Sequence, residues 1–202
     1  MSRLRIFLLS PAHCGGKRAA ILLNERATFP LAQRLRSPAG VTLGEAFSFL
    51  SGLYFRGKLA YADRFARPPS GQPGVQVITT DRGLLPADTP VGCQELREFG
   101  SLDIRADHPG YREPLARDLG QLRRDSDTDV VLLGSVATSK YVDVLLEFLG
   151  ERLLFPREFV GRGDMSRGAL LLRAARKGEE LTYEPVFGAV RHGPRAPKLG
   201  AR

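Results

Sequence analysis

Residues 4–18 read Leu-Arg-Ile-Phe-Leu-Leu-Ser-Pro-Ala-His-Cys-Gly-Gly-Lys-Arg, an apolar run that ends in a basic loop with paired glycines. Short apolar runs of this kind are typical of the buried strands of parallel sheets. Glycines after a strand leave backbone N–H groups open, and neighbouring cations attract anions to them. The stretch therefore predicts a strand over residues 5–9 with an anion-binding loop at its carboxyl end.

Strand and helix patterns alternate along the rest of the chain. Further strands are predicted over residues 75–79, 130–133, 152–155 and 183–187. Helices are predicted over residues 17–35 with an interruption near Pro30, 43–65, 113–124, 137–149 and 167–177. This alternation predicts an α/β fold, a three-layer Rossmann-like domain with a mostly parallel central sheet flanked by helices. We assign one domain to residues 1–187 and a basic, extended tail to residues 188–202, with a long loop over residues 83–100.

The predicted helix over residues 43–65 has one apolar flank, and we place Arg56 and Lys58 elsewhere on its surface, together with Asp63 and Arg64. Gly52 and Gly57 each weaken a helix interior by about 1 kcal/mol relative to alanine. These glycines therefore indicate either close packing or a break.

Charge is unevenly distributed along the 202 residues, whose formal net charge is +8. Residues 1–36 hold seven Lys and Arg against one Glu, and residues 151–202 hold eleven against six acids. Residues 37–150 hold twelve against fifteen acids. Basic ends favour a polyanionic partner such as DNA or RNA, since affinity for nucleic acid comes largely from neutralised phosphates. The alternative is a host whose proteins are generally rich in arginine.

The cysteine pattern and hydropathy indicate the cell compartment. Cys14 and Cys93 are far apart in the sequence and form no CxxC pair, which favours reduced thiols. No apolar run approaches the roughly 20 residues that cross a bilayer, and no secretory signal is recognisable. We expect a cytoplasmic protein without membrane contact. Three scattered histidines and two cysteines form no zinc pattern, so we expect no metal and no cofactor.

The first loop differs from a Walker A motif because Pro11 replaces its leading glycine and Arg18 replaces its final Ser or Thr. We assign anion binding to this loop, through the residues Gly15, Gly16, Lys17 and Arg18. Cys14 is a candidate nucleophile, since the neighbouring cations are expected to lower its pKa. The alternatives are a tight turn that starts a helix and a small buried thiol.

The predicted strand over residues 130–133 is followed by a second candidate loop. It contains a glycine, three hydroxyl side chains and a lysine, which are Gly134, Ser135, Thr138, Ser139 and Lys140. Gly134 permits close approach of a ligand, and the hydroxyls either bind it or cap the following helix.

A third loop, residues 155–168, is the most polar part of the chain. Arg162, Asp164 and Ser166 are its candidate ligand contacts, and Asp164 is the candidate acid or base. The alternative is that Asp164 or Ser166 only caps the helix that follows. Arg162, Gly163 and Asp164 form an integrin-type tripeptide, which recurs by chance.

Three segments together resemble the DUF6884 group and, more distantly, the YaaA family of peroxide-stress proteins. They are residues 8–12 with Cys14, Gly16 and Lys17, residues 53–62, and residues 78–86. The resemblance covers roughly the first 90 residues. It implies a Rossmann-like module allied to uracil-DNA-glycosylase and archaeosine-synthase folds, and so a role with nucleic acids or modified bases. It carries over Ser10, Cys14, Lys17, Arg56 and Lys58 as site residues. Residues 10–18 contain no Asp or Asn to activate water, which argues against glycosylase chemistry.

These features lead to three hypotheses. The first is a protein associated with nucleic acid or nucleotides, in which Lys17, Arg18, Lys140 and Arg162 form one composite anion site at the carboxyl ends of the strands. The second is a hydrolase or transferase for a phosphorylated or carboxylated metabolite. The third is a binding module without catalysis. Cys14 and Asp164 are the reactive groups if there is chemistry.

Overall fold

The computed structural model describes residues 3–102, 104–123, 127–191, 193, 194 and 196. Within them the strands are β1 (Leu4–Leu9), β2 (Val41–Thr42), β3 (Val75–Ile78), β4 (Leu84–Pro86), β5 (Pro90–Val91), β6 (Thr128–Leu133), β7 (Leu153–Pro156) and β8 (Tyr183–Pro185). A six-stranded central sheet has the order β4-β3-β1-β6-β7-β8, and β2 pairs with β5 in a separate antiparallel ribbon. The predicted α/β class with a mostly parallel sheet is confirmed.

The middle of the sheet is parallel and completely buried. β1 pairs in parallel with both β3 and β6, and β6 pairs in parallel with β7, whereas the outer strands β4 and β8 are antiparallel to their neighbours. The side chains of residues 6–9 and 130–133 are 0% exposed. Strands covered on both faces need apolar residues at every position, which explains why these two runs do not alternate with polar residues.

Helices surround the sheet. They are α1 (Lys17–Leu22), α2 (Pro30–Arg36), α3 (Leu43–Ser51), α4 (Leu53–Phe65), α5 (Cys93–Ser101), α6 (Pro109–Arg123), α7 (Ser139–Leu149) and α8 (Asp164–Lys177), with short 3₁₀ turns at Gly150–Arg152 and Arg157–Phe159. α4 packs on α8, and α6 packs on α7. Parallel crossovers are right-handed, so connections that leave the sheet centre in opposite directions place their helices on opposite faces. The result is a three-layer arrangement.

The chain changes direction at the centre of this sheet. The connection after β1 leads to β3 on one side, and the connection after β6 leads to β7 on the other side. A topological switch point therefore lies between the carboxyl ends of β1 and β6. Open α/β sheets bind their ligands at such a point.

Two predicted elements differ in detail from the structure. The helix expected over residues 43–65 is divided into α3 and α4 at Gly52, where a break was one of the two expectations, and the φ of +64° there lies in a region that favours glycine. The loop expected over residues 83–100 contains β4, β5 and α5. Its prolines and glycines suggested irregular structure, whereas Pro86 and Pro90 in fact lie in edge strands, where a missing N–H is tolerated.

Gly57 and Gly168 bring α4 and α8 into close contact. A Cβ atom at Gly57 would lie 2.6 Å from the Gly168 carbonyl oxygen, and a Cβ at Gly168 would lie 2.8 Å from the Leu53 carbonyl oxygen. Only glycine at both positions permits this separation of the two backbones. The predicted close packing at Gly57 is therefore present, and its partner is α8.

The predicted tail over residues 188–202 is described only in part, since residues 192, 195 and 197–202 lie outside the described residues. The Ala196 N–H donates to the Gly161 carbonyl oxygen at 3.0 Å. The described end of the chain therefore contacts the loop after β7. In the described part of the chain, no helix combines the length and apolar character of a membrane span.

Candidate functional site

The carboxyl ends of β1 and β6 meet in a small polar group of side chains. We call Ser10, Lys58, Gly134 and Tyr141 the switch-point cluster. A Cβ atom at Gly134 would lie 2.8 Å from Ser10 Cβ and 2.9 Å from the Tyr141 hydroxyl oxygen. That hydroxyl donates to the Ser135 carbonyl oxygen at 3.0 Å. Glycine at position 134 therefore leaves the space that Ser10 and Tyr141 occupy.

Lys58 enters the cluster from α4 and is only 1% exposed. Its ammonium group donates to the Ser10 carbonyl oxygen at 2.6 Å and to the Ser10 hydroxyl oxygen at 3.0 Å. It also lies 4.7 Å and 4.6 Å from the ring centroids of Tyr54 and Phe55. The Lys58 side chain thus crosses an aromatic layer to reach the end of β1.

The surface position that the sequence suggested for Lys58 was therefore wrong. Tyr54, Lys58, Tyr61 and Phe65 recur at spacings of four, three and four residues, and all four are buried on one face of α4. Helical periodicity places residues at these spacings on the same side. The signal was present, but the charge of lysine outweighed it. Arg56, Asp63 and Arg64 are exposed, as expected.

Burial lowers the pKa of Lys58 to about 7, and the carboxylate of Asp164 acts in the opposite direction. Desolvation disfavours the charged form of an amine, so its neutral form becomes accessible near neutral pH. A neutral amine 3.0 Å from a hydroxyl oxygen is placed to accept the hydroxyl proton. The Ser10–Lys58 pair therefore has the geometry of a nucleophile beside a general base.

Tyr54 and Arg167 add buried polar groups to this region. The Tyr54 hydroxyl is buried, which raises its pKa, while the neighbouring guanidinium of Arg167 acts in the opposite direction. Arg167, on α8, donates to the Phe159 carbonyl oxygen at 3.3 and 3.2 Å and lies 3.6 Å from an Asp164 carboxylate oxygen. A hydroxyl from α4 and a guanidinium from α8 therefore meet beside Lys58.

The first loop departs from expectation at Cys14 and Arg18. Burial raises the pKa of the Cys14 thiol to about 12, with a smaller contribution from Asp81, so the expected lowering is wrong. The thiol donates to the Ala12 carbonyl oxygen. Arg18 donates to the Phe49 carbonyl oxygen and lies beside Gly52, away from the switch-point cluster. Gly15 and Gly16 lie against the side chain of His13, and Lys17 is exposed.

The second loop caps the helix that follows it, which is one of its two predicted roles. Thr138 caps α7, since its hydroxyl accepts from the Lys140 backbone N–H at 3.3 Å. Ser139 is the first residue of α7, and the side chains of Ser139 and Lys140 are exposed. Ser135 contributes its carbonyl oxygen to Tyr141. The hydroxyl of Thr138 is therefore committed to the helix, while the ammonium group of Lys140 faces solvent.

In the third loop, the Arg162 side chain forms hydrogen bonds with neighbouring residues of the same loop and the start of α8. It donates to the Glu158 carbonyl oxygen at 2.9 Å and to the Ser166 hydroxyl at 3.1 Å. Gly163, rather than Asp164 or Ser166, is the N-cap of α8. Asp164 is the first residue of α8, where an acid interacts favourably with the helix dipole, and its side chain is 69% exposed.

Sequence reasoning missed Tyr54, Tyr141 and Arg167. Each lies in the first two turns of a helix whose start is at the carboxyl side of the sheet. The available signal was a polar residue among the apolar positions of an amphipathic helix.

The fold and the switch-point cluster together define an open α/β protein with a polar site at the sheet edge. Comparisons with protein-family models, with curated proteins and with solved structures found no match for this chain.

Proposed function

We propose that the protein binds nucleic acid or a nucleotide-like phosphorylated ligand at the carboxyl edge of its sheet. The observation that carries this proposal is the switch point between β1 and β6. The loops that leave it at this edge lead directly to Lys17, at the start of α1, and to Lys140, in the first turn of α7. Both lysine side chains are exposed, and neither ammonium group forms a hydrogen bond or an ion pair within the described residues. Phosphate groups would find two uncommitted cations there.

The basic ends of the chain support a polyanionic ligand over a single small anion. β1 and its loop belong to the basic first 36 residues, and the loop after β7 belongs to the basic last 52. Both loops lie at the same edge as the switch point, because β1, β6 and β7 are parallel. A concentration of positive charge at one edge attracts a polyanion and makes its affinity dependent on salt.

The double substitution Lys17→Gln and Lys140→Gln is expected to weaken binding of a single-stranded DNA, a duplex or a transfer RNA. Each lost phosphate contact lowers the slope of log affinity against log salt by about 1, so we expect a slope about 2 units shallower. Fluorescence anisotropy over a salt series measures this slope.

Lys177→Gln is the matched control, since Lys177 is exposed at the other end of α8 and lies 3.6 Å from Glu179. It should leave the slope unchanged. If the wild-type protein retains none of the three nucleic acids at low salt, or if both variants behave alike, the proposed function is wrong.

The Ser10–Lys58 contact favours a second candidate, a hydrolase or transferase for a carboxylic ester or thioester. In that reaction the Ser10 oxygen bonds to the carbonyl carbon while its proton passes to neutral Lys58. The tetrahedral intermediate expels the leaving group, which takes that proton from Lys58 and leaves an acyl-serine. Water then attacks the acyl carbon, its proton passes through Lys58 to Ser10, and the acid is released.

Hydrolysis of 4-nitrophenyl butyrate tests this candidate. We expect Ser10→Ala and Lys58→Met each to reduce the rate by about tenfold or more. The wild-type rate should rise with pH through about 7, the pKa of Lys58. Ser70→Ala, at an exposed serine in the connector before β3, is the control and should keep the wild-type rate. Equal rates in wild type and Ser10→Ala would contradict the candidate.

A further inference from the structure

An open cavity of about 950 Å³ lies between the first four helices and the start of α8. We call it the arginine cavity, because Arg18 and Arg56 line it together with Ile21, Phe49 and Met165. Its volume falls in the range of about 300–1,000 Å³ that is usual for small-molecule sites. None of the switch-point cluster lines it.

One wall of the arginine cavity is apolar and exposed. Ile21 is 54% exposed and Met165 is 67% exposed, although both are large apolar side chains. Phe49 adds an aromatic surface that is fixed by stacking on Phe29, with ring centroids 5.4 Å apart and planes 17° apart. Adjacent exposed apolar side chains beside a fixed ring are typical of a binding surface.

The lining of the arginine cavity also carries positive charge. The Arg18 guanidinium donates to the Phe49 carbonyl oxygen at 3.2 Å, which fixes its position at the cavity. Arg56 is exposed, and its side chain forms no hydrogen bond or ion pair with the described part of the chain. Glu45 also lines the cavity, but both of its oxygens accept from Arg34, at 2.8 and 3.0 Å. Among the residues that the structure describes, these two guanidinium groups therefore have no carboxylate partner.

We propose that the arginine cavity binds an amphipathic anion, a small molecule with an apolar body and a carboxylate or phosphate head. The body would cover Ile21, Phe49 and Met165, while the head would bind Arg18 and Arg56. An anion without an apolar body would leave the apolar wall in water. A neutral apolar molecule would leave the guanidinium groups without a partner. This site is separate from the proposed nucleic-acid function and does not rest on it.

Four probes separate the contributions of the head and the body. They are octanoate, octyl phosphate, 1-octanol and inorganic phosphate, each used below micellar concentration and measured by titration calorimetry and thermal stabilisation. We expect octanoate or octyl phosphate to bind at least about tenfold more tightly than 1-octanol or inorganic phosphate, since charge-assisted bonds and apolar burial both contribute. The ratio between octanoate and octyl phosphate identifies the preferred head.

Arg56→Gln is expected to weaken binding of the preferred probe by about tenfold, because a charge-assisted hydrogen bond contributes to that extent. Arg64→Gln is the matched control, since Arg64 is exposed on the same helix outside the cavity. Lys17→Gln with Lys140→Gln should leave this binding unchanged, which separates it from nucleic-acid binding. Equal affinity of Arg56→Gln and Arg64→Gln, equally tight binding of octanol or inorganic phosphate, or no binding of any probe would overturn the proposal.

Discussion

Gly57→Ala is expected to lower the free energy of unfolding by about 1–3 kcal/mol, as overpacking of a close helix contact does. The added methyl group would lie 2.6 Å from the Gly168 carbonyl oxygen and 3.0 Å from its Cα atom. Both are backbone atoms, so no side-chain rotation can relieve the contact and α4 must move away from α8. Chemical denaturation followed by circular dichroism measures the loss.

Gly120→Ala provides the control for this substitution. Gly120 lies inside α6, and a Cβ atom there would meet nothing within 4 Å. Alanine in a helix interior is more favourable than glycine by about 1 kcal/mol, so this variant should gain a little stability. If Gly57→Ala unfolds at the same denaturant concentration as Gly120→Ala, α4 and α8 do not make the contact described above.

The strands of the sheet centre could be predicted from sequence because burial on both faces demands an unbroken apolar run. The run over residues 130–133 lies within β6, and the run over residues 5–9 lies within β1. The contact between Gly57 and Gly168 could not be predicted in this way. Its two residues are 111 positions apart, and a glycine in a helix does not identify the backbone that approaches it.

The candidate site was predictable in position more than in its contacts. Parallel strands deliver their following loops to one edge, so the loops after β1, β6 and β7 were placed together by topology alone. Which of the basic side chains face solvent and which form hydrogen bonds within the protein was not predictable. Lys140 faces solvent, while Arg162 binds the Glu158 carbonyl oxygen and Ser166 within its own loop. Such choices depend on local geometry that only the folded chain defines.

The pH dependence of stability is expected to change when Lys58 is replaced by methionine. Lys58 has a pKa of about 7 in the folded protein, below its ordinary value of 10.5. Between these two values the unfolded chain holds a proton that the folded chain has released. Wild-type stability therefore gains from Lys58 as pH rises above 7, and below 7 the buried ammonium costs its full penalty.

Lys58→Met removes this dependence, because methionine does not titrate. In the wild-type protein, one titrating group can change the free energy of unfolding by at most about 1.4 kcal/mol per pH unit. The free energy of unfolding of Lys58→Met minus that of wild type should therefore be about 2 kcal/mol larger at pH 6 than at pH 8.5. Chemical denaturation at several pH values measures the difference between the two proteins.

Cys14 also makes stability depend on pH, in the opposite direction to Lys58 and at higher pH. Its pKa is raised from 9.0 to about 12, so the folded protein holds a proton that the unfolded chain loses, and stability falls as pH rises past 9. Both proteins contain Cys14, so its contribution cancels in the difference. Lys177→Met, at an exposed lysine, is the control for replacing a lysine by methionine. A difference between Lys58→Met and wild type that stays constant from pH 6 to 8.5 would mean that Lys58 keeps its proton in the folded protein throughout this range. A charged Lys58 could not then serve as the base for Ser10.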